Sequence, residues 1–397
     1  MKLWVHAKPY LQIVWLSSNL SDYMYDIIGS GIAGLTCSQI LSKSNISHSI
    51  FEKETSSPED HYGIQITPNA SNILAKIGLL DTILPDMHVI NNIEIISLRN
   101  LKTLTRLPVN EFVLNNNLSK YFTISRKILY EHLLNAVNKN GTVIENNKHI
   151  SNIIDHGDHF DINYDKNDTK ESRGIIIASG SSKKPLFKNI LIKQTSSNYL
   201  TLRAVAKKKE FPFQIKNDSI YVFLSEDLHI VAYPFFEDKI NIVVIAKKNN
   251  LNFNNISINY FKSAENTFHD FLNATNWTIW NLNDYKTKLL LDKNKPIFVI
   301  GDAAHTIKPH LAQGASMAIE DAYSLAVSIS NNSDPKIIHD LMKKRNARIK
   351  KVIRRSSTNR LIFHAKQPVS YFRDIYLRNT KPISHLNSLK WLYNYEI

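Results

Sequence analysis

Gly29-Ser30-Gly31-Ile32-Ala33-Gly34 reads G-x-G-x-x-G. In such a run the first glycine permits a tight turn, and the second lets the backbone approach a pyrophosphate. The third lets a helix pack closely against a strand. The run follows an apolar strand pattern, Tyr25–Ile28, and opens a helical one that continues through Leu35–Leu41. A second strand pattern, Ser47–Glu52, ends in an acid about 20 residues further on, where a carboxylate can accept bonds from ribose hydroxyls. Ser30, Gly31, Ile32, Ala33, Gly34, Glu52 and the adjoining Lys53 are therefore expected at a dinucleotide. The pattern by itself suits NAD or FAD equally.

A downstream segment makes the choice. Gly301-Asp302-Ala303-Ala304-His305 is followed by Pro309 and His310, then by Ala312-Gln313-Gly314-Ala315-Ser316-Met317-Ala318-Ile319-Glu320-Asp321-Ala322. A plain NAD dehydrogenase has no need of it. Asp302, at the end of the apolar strand Ile297–Ile300, can bond the hydroxyls of a ribityl chain. A helix starting near Gln313 would turn its positive end, with Gly314 and Ala315, toward a flavin carbonyl or a reduced flavin anion. FAD is the expected cofactor.

With both segments in place, the chain resembles the single-component FAD-dependent aromatic hydroxylases (group A flavoprotein monooxygenases), in particular the salicylate-hydroxylase-like branch. Gly63-Ile64-Gln65-Ile66-Thr67-Pro68-Asn69-Ala70 is similar to a G-I-x-L-x-P-N-A stretch of that family. Ser125-Arg126-Lys127-Ile128-Leu129 stands at its H-R-A-D-L segment, whose arginine lies near FAD. Trp391-Leu392-Tyr393-Asn394-Tyr395 resembles its W-L-Y-x-Y ending. The resemblance runs from Met24 to the end. It implies an α/β fold: a Rossmann-like FAD-binding domain, an inserted antiparallel β substrate domain, and C-terminal helices. It also implies hydroxylation of a salicylate-like or phenolic small molecule by O₂ through a flavin hydroperoxide, with NADH or NADPH as co-substrate. There is one departure. The family's A-D-G motif reads Ala178-Ser179-Gly180 here, followed by Lys183 and Lys184, which bears on nicotinamide handling more than on FAD. A same-fold oxidoreductase that does not hydroxylate therefore stays open, as does a ubiquinone-pathway ring hydroxylase.

For catalysis the resemblance points to a substrate-facing strand, Asp227-Leu228-His229-Ile230-Val231-Ala232-Tyr233-Pro234, with Tyr199–Arg203 as a second. His229 has the residue type to take a phenolic proton near neutral pH; a packed sheet histidine is the competing reading. Pro309 and His310 are placed at the flavin or substrate side, and His305 is read as a structural partner. Asp155-His156-Gly157-Asp158-His159 looks like metal ligands, but its alternating flanks make it a hairpin turn.

Several elements must hold these residues. The nucleotide-binding part is expected over 24–190 and again from 296, where it runs with C-terminal helices to 397. A mostly antiparallel sheet is expected over 191–295. Thr67-Pro68 should start a helix ending at Gly78. Further helices are expected at Ile128–Val137, Gln313–Ser330, Pro335–Asn359 and Pro368–Asn379. Residues 1–23 read as a leader outside the fold: either Met24 is the functional start or the leader is a loosely held extension. The 397 residues carry one cysteine, Cys37, so neither an internal disulfide framework nor a cysteine zinc cage can form. No apolar run reaches the roughly 18 residues of a bilayer span, so integral membrane association is not expected. A cytosolic monomer or homodimer is. The formal charge of +14 is read as lysine-rich composition together with a solvated basic helix, Lys343–Arg355. No nucleic-acid motif accompanies that helix, so no nucleic-acid partner is expected.

Overall fold

The structure is a computed structural model that describes residues 24–395, except 56–61, 166–167, 182–184, 196, 249–250, 253–256, 259–267, 269, 272–274, 283, 290–292 and 333. The leader and the pair Lys183 and Lys184 lie outside the described residues. Along the chain the main elements begin with β1 (Tyr25–Ile28), α1 (Ile32–Lys43), β2 (His48–Phe51), β3 (Gly63–Ile66) and α2 (Pro68–Lys76). Next come β4 (Asn92–Ser97), β5 (Thr103–Pro108), β6 (Phe122–Ser125), α3 (Arg126–Lys139), β7 (Val143–Glu145) and β8 (Gly174–Ile177). β9 (Tyr199–Lys207), β10 (Ser219–Ser225), β11 (Leu228–Phe236) and β12 (Lys239–Lys247) form the β-rich middle. The chain ends with β13 (Ile297–Val299), α4 (Gly314–Asn331), α5 (Pro335–Phe363), α6 (Val369–Asn379), α7 (Pro382–Asn387) and α8 (Lys390–Tyr393).

β13, β8, β1, β2 and β7 form a parallel sheet in that order. Its central strands are short and apolar because both faces are covered. α1 and α4 pack on it, and their apolar sides share one core with β1, β2 and β8. Thr67 precedes α2 with Pro68 in the first turn, and Gly78 follows it at φ +74°, as the punctuation predicts. The Thr67 hydroxyl does not cap the helix. It bonds Asn69 at 2.7 Å and Ser316 at 2.7 Å instead.

The second sheet has seven strands: Thr278–Asn281, β9, β12, β11, β10, β4 and β5. β4 and β5 belong to the segment expected to be purely nucleotide-binding. β4 lies parallel to β10, across more than a hundred residues of chain, while the other pairs are antiparallel. A pairing that non-local leaves no mark in the strand's own pattern. One face of this sheet is sealed: Leu202, Ala204, Ile230, Ala232, Ile242 and Val244 form an apolar core with Phe211, Phe223 and Phe268. Its other face turns toward β3. There Tyr233 Oη donates to the Gly63 carbonyl at 3.0 Å, and the Gly63 amide donates to Asn241 Oδ1 at 3.0 Å. A Cβ on Gly63 would lie 2.8 Å from Phe235, so glycine is required for this approach.

α5 does not carry a simply solvated basic face. Lys343, Lys344, Lys350, Lys351 and Arg354 point outward or partly so, but Arg345 and Arg348 are buried. Arg348 donates to both Glu320 oxygens, from Nε and Nη2, each at 2.8 Å. Its guanidinium also reaches the carbonyls of Trp391 (3.1 Å) and Leu392 (2.8 Å). Arg345 Nε donates to Asp321 at 2.8 Å. The i, i+3 spacing of the two arginines faces the adjacent acids of α4, a pairing that a one-dimensional charge run cannot show. Arg348→Met would leave Glu320 buried without its bidentate partner. The expected cost is about 3–5 kcal/mol, read as a lowered denaturation midpoint, and an unchanged midpoint would refute the assignment.

Candidate functional site

β1 ends at Gly29, whose φ of +105° turns the chain sharply; a Cβ there would lie 2.7 Å from the Ala178 carbonyl. At Gly34 a Cβ would meet the Gly29 carbonyl at 1.9 Å, so this residue sets how closely α1 sits on β1. Gly31 is different. Its backbone is extended, it is exposed, and a Cβ there would touch nothing within 4 Å. The space in front of the first turn of α1, with Ile32 and Ala33, is therefore open to a ligand. Glu52 bridges strand and turn: Oε2 accepts from the Ser30 amide at 2.7 Å and from Ser30 Oγ at 2.8 Å. Lys53 lies at the surface and pairs with Glu54 at 3.0 Å.

The Gly301 end closes the same cleft from the opposite side. At φ +62°, a Cβ on Gly301 would meet Ala33 at 3.1 Å and Ala318 at 3.5 Å, so α1 and α4 bring their N-terminal turns together at this point. Asp321 Oδ2 accepts from the Gly301 amide at 3.1 Å and bonds His305 Nε2 at 2.6 Å, which makes His305 the structural partner expected. Burial alone would raise the Asp321 carboxyl, but His305 and Arg345 outweigh it and hold it below the usual range. Asp302 is exposed by area, yet protein surrounds it closely enough for desolvation to raise its carboxyl against the pull of His305 and Arg126. Accessible yet crowded is the condition of a group lining a cleft. Arg126, in the first turn of α3, and Arg203 of β9 both favour the charged form of Asp302.

Gln313 stands immediately before α4. Its side chain is fully buried, donates to Thr67 Oγ1 at 3.0 Å and accepts from Asn69 at 3.1 Å. Only its backbone, with Gly314 and Ala315, remains to face the cleft. Gly314 has the same open surroundings as Gly31. The turn before it is held by α5: Ser356 donates to the Lys308 carbonyl at 3.0 Å and Asn359 to that of His310 at 3.2 Å, which fixes Pro309 between them.

β-strand alternation places Thr201, Arg203, His229, Val231, Tyr233 and Val243 on the cleft side of the large sheet. His229 and His310 meet there, with ring centroids 5.4 Å apart. A third imidazole, His364 at the end of α5, bonds His229, Nδ1 to Nε2, at 2.6 Å. All three are buried. Among the described residues His229 Nε2, both His310 nitrogens and Arg203 Nε have no hydrogen-bond partner. Desolvation and the neighbouring imidazoles push His229 well below its ordinary range. His310 is lowered to about 3 by burial, His364 and Arg360. His364 is lowered to about 4 by burial and Arg360. Nothing local marked His364, which lies outside every motif and joins His229 only through the packing of α5 on the sheet. The His156–His159 turn pairs its imidazoles with Asp161 (2.9 Å) and Asp158 (2.8 Å) at the surface, as a hairpin should.

A parallel nucleotide-type sheet, a glycine turn bonded to an acid, a second open helix start and an accessible aspartate beside them are the arrangement of an FAD-dependent oxidoreductase. The residues fit the cofactor: the two glycines leave room where it must approach, and Asp302 remains accessible. A family model described as an FAD binding domain matches residues 264–356. The 3-hydroxybenzoate 6-hydroxylase 1 of Aquipseudomonas alcaligenes is 24% identical, covering 93% of this chain and 97% of its own. Klebsiella pneumoniae HpxO, solved with FAD and uric acid, superposes with a TM-score of 0.79 at 16% identity, over 93% of this chain and 96% of that one. A salicylate hydroxylase substrate complex gives 0.73 at 17%, over 95% and 96%. The chain is thus similar, along nearly its whole length, to FAD-dependent aromatic hydroxylases and shares their fold.

Because nothing in the protein meets a Cβ at Gly31 and its backbone suits any residue, Gly31→Val should leave the unfolding midpoint unchanged. It should abolish retention of FAD, measured by flavin fluorescence titration of the apoprotein; unimpaired binding would remove Gly31 from the site. The histidine cluster predicts acid lability. Imidazoles neutral in the fold but protonated when unfolded leave stability intact above about pH 6.5. Stability is then lost as pH falls from there toward 4, by about 1.4 kcal/mol per pH unit for each histidine. Denaturant midpoints measured across that window should fall less steeply in His310→Phe than in the parent.

Proposed function

We propose that this chain hydroxylates a small, acidic aromatic molecule, with NADH or NADPH as electron donor and O₂ as oxidant. One oxygen atom enters the ring, the other leaves as water, and the nicotinamide supplies two electrons. Bound FAD supplies the redox chemistry that carries those electrons to O₂. The observation that carries the reading is the unpartnered, buried Nε2 of His229 on the sheet face that looks into the flavin cleft.

His229 is poised as a base. With Nδ1 engaged by His364, Nε2 can present its lone pair to a phenolic hydroxyl and raise the electron density of the ring. When Nε2 takes that proton, Nδ1–H can pass its own proton to His364 Nε2 across the 2.6 Å bond. Arg203 and Arg126 make the wall near Asp302 positive, which favours a substrate carrying a carboxylate, the class printed in the name of the hydroxybenzoate relative. The apolar strands behind the cleft and the turn around Pro309 exclude water from the reacting ring. Ser179, exposed beside the glycine turn, supports the second reading, a flavoprotein that passes nicotinamide electrons to O₂ without hydroxylating.

His229→Gln should lower product formation about a hundredfold or more while leaving FAD content and substrate-free NAD(P)H oxidation intact. The acid limb of kcat/KM in the parent should lie below pH 6.5, because His229 stays neutral there. The readouts are a product heavier by one oxygen and the hydrogen peroxide released. A panel of hydroxylated aromatic acids that raises only peroxide would overturn hydroxylation in favour of the second reading.

A further inference from the structure

The net charge is not evenly spread. Residues 335–397 contain 15 of the 49 Lys and Arg but only 3 of the 35 Asp and Glu. Those 63 residues therefore account for +12 of the formal +14. They are the C-terminal helices, which reach the candidate site through the Arg345 and Arg348 ion pairs, the Ser356 and Asn359 bonds to the turn around Pro309, and His364.

The same helices expose an apolar face. Leu361, Ile362, Val369, Phe372, Ile375 and Tyr376 are each between 39% and 65% exposed. Val369, Phe372 and Tyr376 follow i, i+3, i+7 spacing along one side of α6. Tyr371 extends that side, its ring centroid 5.8 Å from that of Phe372. The end of α5 joins the face because Arg373 donates to the Ile362 and Phe363 carbonyls at 3.1 Å each. Asp374, the only acid on α6, is taken up by Arg373 at 2.7 Å. Arg378 and Lys381 stand exposed beyond it. Soluble surfaces scatter single apolar side chains; a contiguous aromatic and aliphatic face rimmed by cations marks an interaction site.

We propose that this face docks the protein on an anionic lipid bilayer, with α6 lying in the headgroup plane. Charge selects the occupant. A second copy of the chain would set the exposed Arg378 and Lys381 against the same cations, whereas an anionic membrane surface attracts each Lys or Arg by about 1 kcal/mol. Aliphatic Leu361, Val369 and Ile375 have no role against nucleic-acid phosphates, but they gain on entering the acyl boundary, and tyrosines suit the headgroup level. The docking is peripheral, since no described helix is long and apolar enough to cross a membrane. Its position has a consequence for the cleft: Leu361 and Ile362 face outward while His364, three residues on from Leu361, faces His229. The bilayer surface and the candidate substrate wall are thus two sides of one helix end.

The test is flotation of the flavin-loaded full chain with vesicles of phosphatidylcholine alone and with added phosphatidylglycerol. The expected result is binding to the anionic vesicles only, reversed by salt, and lowered about tenfold or more in Phe372→Ser/Tyr376→Ser. A matched loss is expected in Arg378→Glu/Lys381→Glu, which leaves the apolar face untouched. Flavin content and unfolding midpoint should be unchanged in both. Absence of binding to the anionic vesicles overturns the proposal. Equal binding by the apolar variant reduces it to plain adsorption of a basic protein and overturns it too. If the apolar variant instead turns a dimer into a monomer, with no change at the vesicle, the face belongs to a second copy.

Discussion

The buried contact between Glu320-Asp321 and Arg345-Arg348 is the constraint on which the rest of the molecule depends. It joins α4 to α5, Asp321 continues it to Gly301 and His305, and Arg348 continues it to the chain end at Trp391 and Leu392. Asn69, donating to Glu320 at 2.6 Å, brings in the start of α2. Ion pairs this deep return little net energy against apolar packing, because desolvation consumes most of the attraction. What they confer here is geometry. The acids satisfy donors from three separate segments, α2, the Gly301–His305 turn and α5, and so tie these to α4.

Two helix starts and one sheet face then converge without further invention. Gly31 and Gly314 keep space open at the ends of α1 and α4, while Gly29, Gly34 and Gly301 permit the close approach of backbone that creates the space. Opposite them, strand alternation divides the large sheet into a sealed apolar side and a side that carries ionisable groups. The histidine cluster sits where that second side meets the end of α5. Three neutral imidazoles there cost less to bury than charged ones, and burial, reinforced by neighbouring positive charge, keeps them neutral. The opposite side of α5 exposes Lys343, Lys344, Lys350, Lys351 and Arg354, so the interior and exterior of one helix differ in electrostatic character.

The order of Gly29–Gly34, the acid at Glu52, the Gly301-Asp302 turn and the helix start at Gln313 were all legible, because each depends on local spacing and on residue types that few other structures require. The same holds for the Thr67-Pro68 entry and the Gly78 exit of α2, where single residues dictate backbone conformation. The position of β4 and β5 in the large sheet was not legible. Strand pairing is decided by which edge is free after everything else has packed, and β4 finds β10 rather than a sequence neighbour.

Side-chain destinations divide along the same line. A charge run states that Arg345 and Arg348 are basic, but only the docking of α5 on α4 turns them inward while Lys343, Lys344 and Arg354 remain outside. Gln313 looked like a cofactor ligand from its motif, yet the proximity of Thr67 and Asn69 consumes its amide. His229 could be nominated from one strand, whereas its partner His364 is 135 residues away and is supplied by tertiary packing alone. Sequence by itself determined the nucleotide-binding scaffold and the residue types able to serve a flavin, since periodicity and glycine sterics act within a few residues. Which of those side chains reach the cleft was decided by the tertiary structure, because burial and hydrogen-bond competition arise only between segments far apart in the chain.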